Sequence, residues 1–129
     1  MKILAEISVG ELYDKITILN IKLKKINDPY KLKNIKIELD ALVEQSNKIV
    51  IKDDKTLKKY IQELQEINEE LWDIENTKRE CEANKEFGEI FIKISRDVHF
   101  KNDIRASIKK EINLLSNSKI SEEKEYSKY

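Results

Sequence analysis

From Val9 to Leu115 apolar residues return three or four positions apart, and only short polar breaks interrupt them. That spacing is the period of an α-helix, so the chain is constrained to helices that share an apolar seam. Gly and Pro together number three, too few for the turns of a β-rich fold. Val9, Leu12, Ile16, Leu19, Leu23 and Ile26 outline a first helix, opened by Ser8 with Glu11 three residues on, a capping-box pattern. "NDP" at 27–29 closes it, with Asp28 suited to an N-cap and Pro29 to a first helical position. Leu32, Ile35, Leu39, Leu42 and Ile49 outline a second helix, with Ser46 in its stripe, and "KDD" at 52–54 turns the chain. Leu57, Tyr60, Leu64, Ile67, Leu71, Ile74 and Cys81 carry a third helix from near Asp54 to about Lys85. After "NKEFG", Phe87, Phe91, Ile94, Val98, Ile108, Ile112 and Leu115 carry a fourth, in which Asn102 or Asp103 could cap a fresh start.

The expected fold is therefore all-α: an antiparallel helical bundle in which a long helical hairpin packs against a shorter one. The two short helices span about 30 Å and the two long ones about 45 Å. A short hairpin leaves the far end of a long one bare, here near residues 76–97, where Cys81, Phe87, Ile90, Phe91 and Ile94 stand. A second copy is the expected cover, so a homodimer is expected, with a bent long hairpin in a monomer as the alternative. Residues 1–116 read as one helical domain and 117–129 as a polar, frayed tail.

Lys plus Arg equals Asp plus Glu at 25 each, which argues for neither a nucleic-acid nor a membrane partner. No run approaches the roughly 20 apolar residues of a membrane span, and the N-terminus carries no signal-peptide pattern. The single Cys81 forms no internal disulfide and no structural zinc site, so a cytoplasmic location is expected.

Two segments, "ELYD" at 11–14 and "ELWD" at 70–73, place carboxylates three apart, as in helical Mg²⁺ sites. Helical-wheel geometry turns Asp73 and Asp14 away from the main stripes, which makes a paired metal site weak; no metal and no cofactor are assigned. The inward polar residues carry more. Asn68, Trp72, Glu75 and Arg79 run along the stripe edge of the third helix. Lys101 and Arg105 occupy stripe positions on the fourth, with Asn102 and Lys109 beside them, and Glu11 and Lys15 flank the first. Antiparallel pairing puts Arg105 level with Asn68, Lys101 with Trp72 and Lys109 with Leu64. Buried charges must be paired or bound to something. One reading is a structural network. The other is a pocket for a phosphorylated or carboxylated small molecule, since cations outnumber acids and Arg offers a forked donor. His99 stands alone, without a second ligand at metal spacing.

"ISVGELYDKITILNIKLKKI", "NEELWDIE", "CE" at 81–82 and "NDIRASIKKEIN" at 102–113 resemble the domain-of-unknown-function family 6165 of small bacterial and viral proteins. The resemblance implies a self-contained small protein in a glycan-assembly setting and supplies no reaction. Its motif segments include Ser8, Gly10, Glu11, Asp14, Lys15, Asn68, Trp72, Asp73, Glu75, Asn102, Asp103, Arg105 and Lys109. Three functions are then open. One is a binding or accessory protein that recognises an anionic small molecule or a glycan or sugar-nucleotide pathway partner. The second is a small helical enzyme working by Arg/Lys/Glu electrostatics or Mg²⁺-dependent nucleotide hydrolysis. The third is a coiled-coil scaffold without a ligand.

Overall fold

The computed structural model describes residues 1–129 and contains four helices and no strand: α1 (Val9–Lys25), α2 (Pro29–Ser46), α3 (Asp54–Asn84) and α4 (Glu89–Leu115). Three start where a side chain satisfies otherwise unpaired backbone donors. Ser8 accepts from the Glu11 amide, Asp28 from Tyr30 and Lys31, and Asp53 from Thr56. The long helices end in the left-handed region at non-glycine residues. Lys85 has φ 56° and Asn117 φ 52°. The following amides reach back, Glu86 to the Cys81 carbonyl at 2.8 Å and Ser118 to that of Asn113 at 2.9 Å. Two sequence expectations are corrected. α2 stops at Ser46, short of Ile49, and α4 runs unbroken through residues 101–103.

α3 and α4 form an antiparallel hairpin, and α1 lies on both. α2 touches α1 alone among the helices. The shorter hairpin therefore docks on the longer one through a single helix. The reason lies in how α1 is patterned. Gly10, Asp14, Thr17 and Ile21 recur at four, three and four, and all are buried. Leu12, Ile16 and Leu19 are also buried, yet stand about 180° around the helix from them. α1 is thus covered on two opposite sides. Its leucine–isoleucine stripe serves α2, whose one buried residue is Ile35, and its small and polar stripe faces the long hairpin. The main apolar cluster, Leu57, Leu64, Ile67, Ile108 and Ile112, lies within the α3–α4 hairpin, with Val9 and Tyr13 of α1 packed against it.

Gly10 sets how closely α1 approaches α4. A Cβ there would lie 2.5 Å from the Lys109 carbonyl oxygen and 2.9 Å from Asn113 Oδ1. The same approach lets the Gly10 amide donate to Asn113 Oδ1 at 2.7 Å. The tail beyond α4 is non-helical and makes polar contacts with the bundle. The Val9 amide donates to Ser118 Oγ at 3.2 Å, Glu122 meets Lys109, and the Tyr129 hydroxyl donates to Asp103. No helix is long and apolar enough to cross a membrane.

Candidate functional site

The polar stripe of α1 meets the hairpin at Asp14, which is 1 % exposed. Asn68 Nδ2, from α3, donates to Asp14 Oδ1 at 2.9 Å and to Thr17 Oγ1 at 3.0 Å. Arg105, from α4, grips the same carboxylate with two nitrogens: Nε donates to Oδ1 at 3.0 Å and an outer guanidinium nitrogen to Oδ2. Lys109, one turn further along α4, has its Nζ 3.6 Å from Asp14 Oδ2. A forked donor on a carboxylate fixes direction as well as distance, so this contact locks the register of three helices together. Desolvation alone would raise the Asp14 carboxyl, but the hydrogen bonds from Arg105 and Asn68 and the nearby positive charges outweigh it. Its pKa falls below the ordinary aspartate value. The hydrogen bond to Asp14 raises that of Arg105 in turn.

Lys109 carries the hub outward. Its residue is 7 % exposed, and its ammonium donates to Glu11 at 2.6 Å and to Glu122 at 3.0 Å. Burial pushes the ammonium down, the two carboxylate bonds and the Asp14 charge push it up, and the upward effects win. The hydrogen bond from Lys109 in turn holds Glu122 below the ordinary glutamate value. Beside this contact a shallow cleft of about 240 Å³ opens between α4 and the tail, lined by Ser107, Lys109, Lys110, Asn113, Glu122 and Lys124 among others.

The residues singled out in the sequence divide into three sets. Asn68, Arg105, Lys109 and Glu11 come together at the hub. Lys101 lies at its edge, half-buried, with Nζ 2.8 Å from Glu70, and Asn102 is half-buried beside it. Trp72 is half-buried one turn beyond Asn68, and Lys15 is exposed with Nζ 3.7 Å from Glu11. Glu75 and Arg79 do not join them. They pair with each other at 2.8 Å on the exposed face of α3, because α1 leaves the hairpin before their level and no third helix covers them.

Two further corrections concern charge. Asp14 points inward, because α1 has neighbours on both sides and the leucine stripe marks only one of them. With Asp14 counted, the expected surplus of cations disappears. Lys101, Arg105 and Lys109 face the carboxylates of Glu11, Asp14, Glu70 and Glu122. The carboxylates of the two Glu-Leu-aromatic-Asp segments are likewise engaged by cations, apart from exposed Asp73. No group of three or more His, Cys, Asp or Glu is placed to hold a metal ion. Thr17, Asn113 and Glu122 were missed. The four-three-four run from Gly10 to Ile21 could have revealed Thr17; nothing local marks Glu122.

The chain belongs to the family described as "Family of unknown function (DUF6165)", which it matches over residues 1–129. No curated protein and no solved structure matches it.

Proposed function

We propose that this member of a family of unknown function is a binding or accessory protein. In this reading it recognises an anionic group at Lys109, carried by a small molecule or by a glycan or sugar-nucleotide pathway partner. The supporting observation is the Lys109–Glu122 contact. Glu11 and Asp14, the other two carboxylates around the ammonium, are fixed on α1, whereas Glu122 sits on non-helical chain outside the bundle. A phosphate or carboxylate oxygen in its place would keep the same charge-assisted hydrogen bond, and the cleft beside it gives such a group a way in. Lys110 and Lys124 border that cleft with Glu123, and because Lys124 lies 3.9 Å from Glu122, displacing Glu122 would free its charge as well for the rest of the ligand. Arg105 has a different role. Nε and one outer nitrogen of its guanidinium are committed to Asp14, so this edge of the fork holds the protein together and the neighbouring lysine is the better placed cation for recognition. This division favours a binding role over electrostatic catalysis inside the hub.

The test is a thermal-shift and calorimetric titration with inorganic phosphate, a nucleoside-diphosphate sugar and a dicarboxylate, on the native chain and on Glu122→Gln. The variant removes the internal competitor, so at least one anion should bind it several-fold more tightly than the native chain. A ligand at a hundredfold excess over its Kd adds about 2.7 kcal/mol, a shift of several degrees in Tm. Lys109→Met should abolish the effect. A folded Glu122→Gln protein that responds to none of the three anions would overturn the proposal.

A further inference from the structure

The far end of the α3–α4 hairpin, residues 76–98, carries no third helix, and the tail comes up only to its border, where Tyr129 packs edge-to-face on Phe100 with ring centroids 5.0 Å apart. Cys81 is buried there between the two helices, but the apolar residues around it are left half-covered or bare. Phe91, Ile94 and Val98 are half-buried, Phe87 is 48 % exposed and Ile90 is 65 % exposed. Ile90, Phe91, Ile94 and Val98 fall within about 100° of one another around α4, so they form one stripe. Phe87 joins it edge-to-face on Phe91, with ring centroids 5.4 Å apart. Phe100 and Ile104 lie four apart on another side of α4, where Tyr129 of the tail packs on Phe100. Ile37 and Val43 of α2 stand about 120° apart and share no stripe. Ile3 and Leu4 lie on a lead without helix.

We infer that the free end of the α3–α4 hairpin is an interface that a second copy of this chain covers. Two observations select that occupant. The first is area. The chain exposes 9920 Å² for a mass of 15.3 kDa. A compact monomer of that mass exposes about 7,100 Å², so the excess is roughly 2,800 Å². The terminal segments and the outer side of α2 account for part of it. A stable dimer takes only about 800 Å² from each partner, which the excess exceeds more than threefold. The second is charge. Residues 76–100 carry five acids and five Lys or Arg, so two copies of this end meet without net repulsion. A strongly acidic or basic partner would find no complementary field here. A twofold arrangement brings the same stripe of each protomer onto the other, which turns two bare hairpin ends into a four-helix bundle.

The experiment is light scattering with size-exclusion chromatography, combined with hydrogen exchange at low and high protein concentration. The native chain should scatter with twice its 15.3 kDa mass at about 100 µM. Amides of residues 76–98 should gain protection as concentration rises, while those of α2 and of residues 1–7 do not. Phe87→Ser combined with Ile90→Arg alters exposed side chains, so the variant should keep its helical circular dichroism and scatter as a single chain. A native chain that stays single at every concentration would overturn the inference. So would a dimer whose protection appears on α2 or the N-terminal lead, or one that survives the double substitution unchanged. Hydrogen exchange of the native chain locates the contact even if the variant fails to fold.

Discussion

Around Asn68 and Arg105 the α3–α4 hairpin carries a third helix; around Arg79 and Lys93 the same two helices carry none. At the covered end charges are buried and each is answered, Asp14 by Arg105 and Asn68, Lys109 by Glu11 and Glu122. At the bare end charges are paired too, Glu75 with Arg79 and Lys93 with Asp97, but on the surface and within one helix. The pairs look alike as distances and differ in consequence. A buried charge that loses its partner is stranded in a poor solvent, whereas an exposed one turns to water. The covered end should therefore fail at single substitutions, and the bare end should tolerate them.

The largest expected effect is at Asp14. Removing one member of a buried pair costs about 3–5 kcal/mol, and Asp14→Ala should fall near the lower end because the Arg105 head reaches solvent. Urea denaturation followed by circular dichroism measures it. Gly10→Ala comes next, at about 1–3 kcal/mol or more, because the added methyl meets backbone and cannot be accommodated by a rotamer change. Its effect should be a loss of α1 docking, seen as faster exchange of α1 amides with the α3–α4 hairpin still protected.

Acid should weaken the covered end as well. The Asp14 carboxyl is held below its ordinary value in the folded protein. Its contribution to stability is therefore complete above the unfolded aspartate pKa, about 3.9, and is lost as pH falls through the folded value. Asp14→Ala should flatten that part of the stability–pH curve. At the hairpin turn, Lys85 adopts a left-handed conformation that glycine adopts freely, so Lys85→Gly should raise stability by up to about 1 kcal/mol. Smallest of all, Glu75→Gln or Arg79→Ala should stay within about 0.5 kcal/mol, as exposed pairs on one helix do.

The helices were legible because the 3.6-residue period and the side-chain caps at Ser8 and Asp28 are local signals. The register of Arg105 on Asn68 followed from counting outward from a single turn. Asp14 was not legible by the same means. A helix wheel centred on the longest apolar stripe assumes one neighbour, and α1 has two sides to bury. Its leucines mark the side left to α2, while the run of Gly10, Asp14 and Thr17 marks the side that meets the hairpin. Glu75 and Arg79 failed for the complementary reason: their spacing continues the inward line, but the helix that would make it inward has ended its contact. Such facts depend on where a third element lies, which no single helix encodes.

The contact between Asp14 and Arg105 holds α1 to the hairpin, and a double-mutant cycle measures that contact alone. Asp14→Asn, Arg105→Met and the double variant are unfolded in urea, and the coupling energy is extracted from the four stabilities. A coupling of about 2 kcal/mol or more is predicted, with the double variant close to the worse single one. Stability losses that simply add, to within about 0.5 kcal/mol, would contradict the claim that this pair holds α1 to the hairpin.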